Sequence, residues 1–261
     1  MPMEFTQDDV LCYVKSEDVK FIRLAFCDTE GRQKNLAVMP ETLPRAFSQG
    51  IPVDGRELPG FGAGPVLLRP DPTTLLQMPW RPQHGRVVHM FCDLVALDGT
   101  PHPQDIRWQL KELAQQMECT VAAEMLFALY KLDEQGRPTT EPQDEAGYLD
   151  IAPTDRGENV RRAICLTLEQ MGIQPESSHH GAGPGRNLIR YQGAGPLKAA
   201  DNMVTFQAVV RTMADQNGLF AEFPHPPRLF ITQGANVREA VPQKGWQNPY
   251  RLMAALVRGQ V

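Results

Sequence analysis

The sequence predicts an α+β protein of two domains. Three observations carry this: runs of β-forming residues at 19–26 and 33–39, a Gly/Pro/Asp-marked boundary near residue 100, and alternating helical and strand patterns over 105–235. The run VKFIRLAF (19–26) is a strand, Asp28-Thr29-Glu30-Gly31 a turn, and 33–39 the returning strand of a hairpin. Residues 50–82 are crowded with Gly and Pro and read as a long irregular connection with short extended pieces. VVHMFCDL (87–94) is a further strand, and Asp98-Gly99-Thr100-Pro101 places a linker near 96–104. Domains are therefore expected at 1–100 and 101–261.

In the second half, Ile106, Leu110, Leu113 and Met117 share one face of a helix over 105–118, followed by a strand over 120–130 and a turn at Asp133-Glu134-Gln135-Gly136. Val160, Ala163, Ile164, Leu168 and Met171 line a second helix that Gly172 stops, and 173–180 returns to strand. Met203, Phe206, Val210 and Met213 define a third helix ending near Asn217-Gly218. The methionines 117, 125, 171, 203 and 213 fall at core spacing.

Composition excludes several classes. A net charge of −5 and no basic cluster interleaved with aromatics argue against nucleic acid as a partner. No stretch approaches a membrane span, and Met1-Pro2-Met3-Glu4 lacks the pattern of a secretory leader, so a cytoplasmic protein without membrane association is expected. The five cysteines (Cys12, Cys27, Cys92, Cys119, Cys165) are odd in number and sit in apolar stretches, which reads as buried thiols in a reducing compartment.

One strand bears on chemistry. In Ala122-Ala123-Glu124-Met125-Leu126-Phe127, residues i and i+2 share a face, so Glu124 and Leu126 point together. A Glu-x-Glu would aim two carboxylates at one hard cation, and a leucine offers no electron pair. Glu124 in so apolar a strand needs a partner or solvent: a base, with Arg186, Arg190 or Arg238 as the candidates, or, as the sharper alternative, a cation that it still holds. His179 and His180, adjacent on a strand, face opposite sides and do not share an ion; a structural role suits them, with anion binding at His180 as the sharper alternative. Gly181-Ala182-Gly183-Pro184-Gly185-Arg186 lacks the Lys-Ser/Thr of a phosphate loop and reads as a hairpin connection.

Taken in order, many stretches resemble glutamine synthetase of the bacterial type I kind. Val19 to Leu24 with Asp28 and Gly31, Val53-Asp54-Gly55, Gly60-Phe61, Arg69-Pro70-Asp71, Pro79-Trp80, Cys92-Asp93 and Asp98-Gly99-Thr100-Pro101 look like its N-terminal β-grasp domain. Lys131-Leu132-Asp133-Glu134, Gly147-Tyr148-Leu149-Asp150, Ala152-Pro153-Thr154-Asp155, Ser178-His179-His180 and Ala182-Gly183-Pro184-Gly185 look like landmarks of its catalytic domain. The resemblance implies a β-grasp domain followed by an incomplete catalytic α/β domain, a partial barrel of mostly antiparallel strands with helices outside. It also implies ATP-dependent ligation of ammonia to glutamate at divalent cations held by carboxylates.

The sequence departs from that pattern at the cation ligands. Glu124 is kept, but the second carboxylate of its strand is Leu126, the Glu after the His pair is Gly181, the Glu of the next strand is Leu188, and the His of the glycine-rich motif falls on Arg238. Asp54, the family's ammonium-deprotonating residue, is kept, and by itself supports a turn with Gly55. The family continues beyond about residue 240 with substrate arginines and a closing loop, so 239–261 is expected to cap a sheet edge or engage another chain. The expectation is a catalytically inactive relative, a pseudoenzyme of the ligase family in nitrogen metabolism, with no catalytic residues, no metal and no cofactor. It would work by self-association, as a homo-oligomer, or by association with an authentic glutamine synthetase. Two alternatives stand beside it: a ligase with a rebuilt site using Mg²⁺ or Mn²⁺ and ATP, and a sensor binding an anion or nucleotide through His180, Arg186, Arg190 and Arg238.

Overall fold

In a computed structural model, residues 5–81, 84–115 and 117–260 are described. The expectations for residues 1–4, for Pro82 in the connection and for position 116 in the 105–118 helix lie outside them. The chain divides into two compact units, Met1–Gln115 and Gln116–Val261.

The first unit opens with helix α1 (Gln7–Ser16), which the sequence pattern had not marked. Its signal was local: Thr6 and Asp9 form a reciprocal capping box, Asp9 N–H donating to Thr6 Oγ1 at 3.2 Å and Thr6 N–H to Asp9 Oδ2 at 2.8 Å. Strands β1 (Val19–Cys27) and β2 (Gln33–Val38) pair antiparallel as expected, around a turn in which Asp28 Oδ1 accepts from the N–H groups of Glu30 and Arg32. A short helix α2 (Leu43–Gln49), strands β3 (Ile51–Asp54), β4 (Pro65–Pro70) and β5 (Leu76–Gln77), and the long strand β6 (Arg86–Val95) complete a sheet ordered β2-β1-β6-β4-β3 with β5 on β6. Only β1 and β6 run parallel. Ile22, Leu24 and Phe26 alternate onto the face that packs with Val10 and Val14 of α1 and Leu43 and Phe47 of α2.

Helix α3 (Ile106–Ala114) belongs to this unit and stops short of the expected 118. Asp105 caps it, accepting from Arg107 N–H (3.0 Å) and Trp108 N–H (3.1 Å), and also from Leu94 N–H of β6 (2.6 Å). Arg107, 3% exposed, donates to Asp93 (2.7 Å) and Asp71 (3.0 Å), and Lys111 donates to Asp93 (2.9 Å). This cluster fastens α3 to β6.

The second unit is built on β7 (Thr120–Leu132), the central strand, with β8 (Pro138–Pro142), helix α4 (Glu158–Gln170), β9 (Pro175–His180), β10 (Arg186–Ala194), helix α5 (Pro196–Gln216), β11 (Leu219–Glu222), β12 (Arg228–Gln233), β13 (Asn236–Ala240) and helix α6 (Pro249–Val257). The strands order as β13-β12-β7-β10-β9, with β11 and β8 also on β7, and every pair is antiparallel. Alternation sends Ala123, Met125, Phe127, Ile189, Tyr191, Leu229 and Ile231 to one buried face. Phe206 of α5 packs there against Phe127 and Tyr191, ring centroids 6.2 and 5.5 Å away. Glu124, Leu126, Leu188, Arg190, Arg228 and Phe230 lie on the opposite, open face.

Residues beyond 239 divide their work. β13 lengthens the sheet by pairing with β12, whereas α6 packs on α5, where Tyr250 donates to the buried Asp201 at 2.9 Å. Cys27, Cys92 and Cys119 are buried as expected, but Cys12 is exposed and Cys165 only half-buried, because each sits on the outward side of an amphipathic helix. Among the described residues no helix is long and apolar enough to cross a membrane.

Burial raises the carboxyl of Asp105 to about 6, overcoming the N–H groups of Leu94 and Trp108 that favour its charge. A carboxyl whose pKa is higher in the folded than in the unfolded state stabilises most when protonated, and that contribution is lost as pH rises from about 4 to about 6. Denaturant unfolding should therefore show the protein losing roughly 2–3 kcal/mol relative to Asp105→Asn between pH 4 and pH 7.

Candidate functional site

The open face of the second sheet is organised by register. Glu124 on β7 lies opposite Arg190 of β10 on one side and Arg228 of β12 on the other. Arg228 donates to Glu124 Oε1 at 3.0 Å and reaches Glu239 of β13 at 2.9 Å. The hydrogen bonds that Arg228 donates to Glu239, together with the charge of Glu124, raise the Arg228 pKa above its ordinary value. Arg190 donates to Glu176 of β9 at 2.9 Å and stacks on Phe230, its guanidinium carbon 3.9 Å from the ring centroid. Beside Glu124, Leu126 and Leu188 are direct register partners, so two apolar side chains meet where the strand pair faces outward.

Sequence reasoning expected Arg186, Arg190 or Arg238 to neutralise Glu124; the structure assigns that role to Arg228. The reason is pairing: Arg190 is drawn to Glu176, and Arg238 opposes Ile231, a residue of the helix-covered face, so alternation turns it away from Glu124. Arg186 shares the open face two steps from Leu188 but lies opposite Ala128. Arg228 itself was legible only as the residue after Pro226-Pro227, with nothing local to say which strand it would flank.

His180 is fully buried on the other side. Its Nε2 faces Asp144 Oδ1 at 3.0 Å and its Nδ1 faces the carbonyl oxygens of Gly147 and Gly181 at 2.9 Å. His179 points oppositely and packs edge-on against Tyr148 at 5.5 Å, as adjacent strand residues must. Asp144 also accepts from Gly185 N–H (3.0 Å) and Arg156 N–H (2.9 Å). Burial works to raise its carboxyl, yet these donors and His180 hold it below the usual carboxylate range. Next to it, Asp155 receives Arg161 through both oxygens (3.1 and 2.6 Å), and Arg161 also donates to Asn187 of β10 at 2.6 Å.

Asp144, Asp155 and His180 are close enough to hold a cation. Their donor pattern argues otherwise. Asp144 already accepts from the N–H groups of Gly185 and Arg156, and the oxygens of Asp155 already face the Arg161 guanidinium. The cluster reads as a lock joining α4, β9, β10 and the loop from 143 to 157. In the same loop, Tyr148, Leu149 and Ile151 remain exposed, Leu149 at φ 63° with its N–H held by the His180 carbonyl.

In the first unit, Asp54 is exposed and gripped by Arg56, whose Nε lies 3.0 Å from Oδ1 and whose terminal nitrogen lies 2.6 Å from Oδ2. Asp54 Oδ1 also accepts from Arg56 N–H, the turn-supporting role expected of it. Gly55 follows because a Cβ there would sit 2.4 Å from the Gly64 carbonyl oxygen.

The glutamine synthetase beta-grasp domain family matches residues 18–96, and the glutamine synthetase catalytic domain family matches residues 105–236. The glutamine synthetase of Clostridium saccharobutylicum is 41% identical over 242 residues, 90% of this chain and 54% of that protein. That of Methanosarcina mazei is 41% identical over 240 residues, 89% of this chain and 54% of that protein. The chain belongs to the glutamine synthetase family. It spans about half the length of these curated relatives. Among solved structures, the ADP complex of GmaS shares the fold with a TM-score of 0.75 at 21% identity, covering 91% of this chain and 59% of that one. Plasmodium falciparum glutamine synthetase does so with a TM-score of 0.75 at 13% identity, covering 92% and 54%.

Divalent cations implied by a glutamine synthetase resemblance do not fit the residues present at the positions that resemblance aligns. Leu126 and Leu188 offer no donor atoms, and Glu124 is occupied by Arg228. At Gly181 a Cβ would lie 2.6 Å from Leu188 Cδ1, so the leucine fills the room that a longer side chain would use.

Burial separates the two arginine pairs energetically. Arg161 and Asp155 are 5% and 2% exposed, so Arg161→Met should cost about 3–5 kcal/mol by leaving a buried carboxylate unpaired. Arg228 is 50% exposed, and Arg228→Ala should cost under about 1 kcal/mol. Urea unfolding of the two variants checks both.

Proposed function

We propose that this glutamine synthetase family member does not perform ATP-dependent ligation and acts through assembly or regulatory binding. The observation that carries the reading is the 3.0 Å contact of Arg228 with Glu124. The guanidinium takes up the carboxylate that a cation would need, and a divalent ion placed beside it would meet like charge. Leu126, Leu188 and Gly181 support the same conclusion, since phosphoryl transfer in this chemistry depends on cations that neutralise the moving phosphoryl group. The open face is thereby made independent of metal.

Assembly is the remaining capacity. The β-grasp domain, taken as 1–100, retains its sheet, its packed core and the Asp54 turn, while the catalytic-like domain, 101–261, retains the sheet and its helical cover. Such a subunit would associate with copies of itself or with a catalytically complete glutamine synthetase, and so act within nitrogen metabolism in the cytoplasm.

Calorimetric titration with Mg-ATP and Mn-ATP, a glutamine-formation assay and light scattering on one preparation test this. The expected outcome is no cation-dependent heat that Glu124→Gln abolishes, no glutamine, and a mass above that of one chain, alone or mixed with a glutamine synthetase. Glutamine formation that Glu124→Gln removes would overturn the inactivity. A strict monomer in both settings would overturn the assembly.

A further inference from the structure

A cavity of ≈ 420 Å³ opens on the helix-covered side of the second unit, between α5, the outer edge of β11 and the segment leading into α6. The volume lies in the range of small-molecule sites. Register sorts which side chains reach it. Ala221 opposes Leu129 of the buried face, whereas Phe220 opposes Tyr130 and Glu222 opposes Ala128. Alternation therefore turns the Phe220 ring and the Glu222 carboxylate to the open face, and β11 lines the cavity with Ala221 and backbone. Longer side chains come from Gln207 and Arg211, one turn apart on α5, from Phe223 just past β11, and from Trp246 and Gln247. Phe223 packs toward Phe127 and Phe206, at 6.4 and 6.3 Å, which sets its ring on this side of the sheet.

Arg211 is the one charge that these side chains bring. Its guanidinium carbon lies over Phe223, 5.1 Å from the ring centroid, and desolvation alone lowers its pKa. Among the described residues it forms no ion pair, and neither Gln207 nor Gln247 commits its side-chain amide to a hydrogen bond. A desolvated cation without a counter-ion is costly. A ring beneath a guanidinium engages its face and leaves its N–H edge free to donate. The cavity thus offers a fork of cationic donors, two uncommitted amides and two half-buried rings, Phe223 and Trp246. An organic cation would be repelled by Arg211, an inorganic anion would leave both rings unused, and a neutral aromatic would leave the cation unpaired.

We infer that this cavity binds a monocarboxylate with an aromatic body. The carboxylate accepts paired hydrogen bonds from Arg211, with Gln207 and Gln247 as further donors, and the ring of the ligand lies against Phe223 and Trp246. Nothing in this site depends on whether the open face is catalytically active.

Calorimetry of the full chain with 3-phenylpropanoate, 2-phenylethylamine and acetate separates the contributions, because the second carries an amine in place of the carboxylate and the third lacks the ring. 3-Phenylpropanoate should bind at least about tenfold more tightly than either. Arg211→Gln should abolish its advantage over 2-phenylethylamine, and Trp246→Leu should weaken it at least about threefold, with circular dichroism confirming that both variants fold. Where Arg211→Gln does not fold, Arg211→Lys takes its place and should weaken 3-phenylpropanoate at least about threefold, because an ammonium group lacks the paired N–H fork. No heat with 3-phenylpropanoate at millimolar concentration, equal binding of all three compounds, or an affinity unchanged in the Arg211 or the Trp246 variant would overturn the inference.

Discussion

The second unit depends on one buried arginine. Arg161 projects from α4 into the sheet, where Asp155 takes both its terminal nitrogens and Asn187 of β10 takes a further bond. Asn187 in turn donates to the Gly185 carbonyl, and Gly185 N–H reaches Asp144, which holds His180 of β9. A helix, two strands and the long loop between β8 and α4 are thus tied through groups that would be costly to bury singly. Gly157 is part of the constraint: a Cβ there would meet Asn187 Oδ1 at 2.5 Å.

The open face of the sheet carries a separate set of charges. Strand register alone places Arg190 and Arg228 on either side of Glu124. The chain has set an internal cation on the one carboxylate it keeps and let Leu126 and Leu188 meet beside it. Phe230, stacked against Arg190 and 5.7 Å from Arg228, adds an aromatic surface between the two guanidiniums. Arg190 and Arg228 thus each face a carboxylate on this side of the sheet, Glu176 and Glu124 respectively.

The first unit solves a related problem at a helix start. Asp105, Asp93, Asp71, Arg107 and Lys111 bring three carboxylates and two cations together where α3 meets β6. Arg107 and Lys111 neutralise Asp71 and Asp93, so Asp105 is the carboxyl left with backbone donors alone, and burial decides its behaviour.

Much of the fold was legible in the residues. The β-formers of β1 and β2, the apolar spacing of α4 and α5 and the turn residues at Asp28, Asp54 and Asp133 act locally, so their consequences appear in sequence order. The missing second carboxylate beside Glu124 was visible for the same reason, since residues two apart on a strand share a face. What the sequence could not determine was partnership across long separations. Arg228 lies 104 positions from Glu124 and Asn187 lies 26 from Arg161, and only strand register and helix placement bring them within hydrogen-bond reach. Local chemistry set which groups needed partners; tertiary packing, which alone fixes distance between remote residues, decided which partners they found.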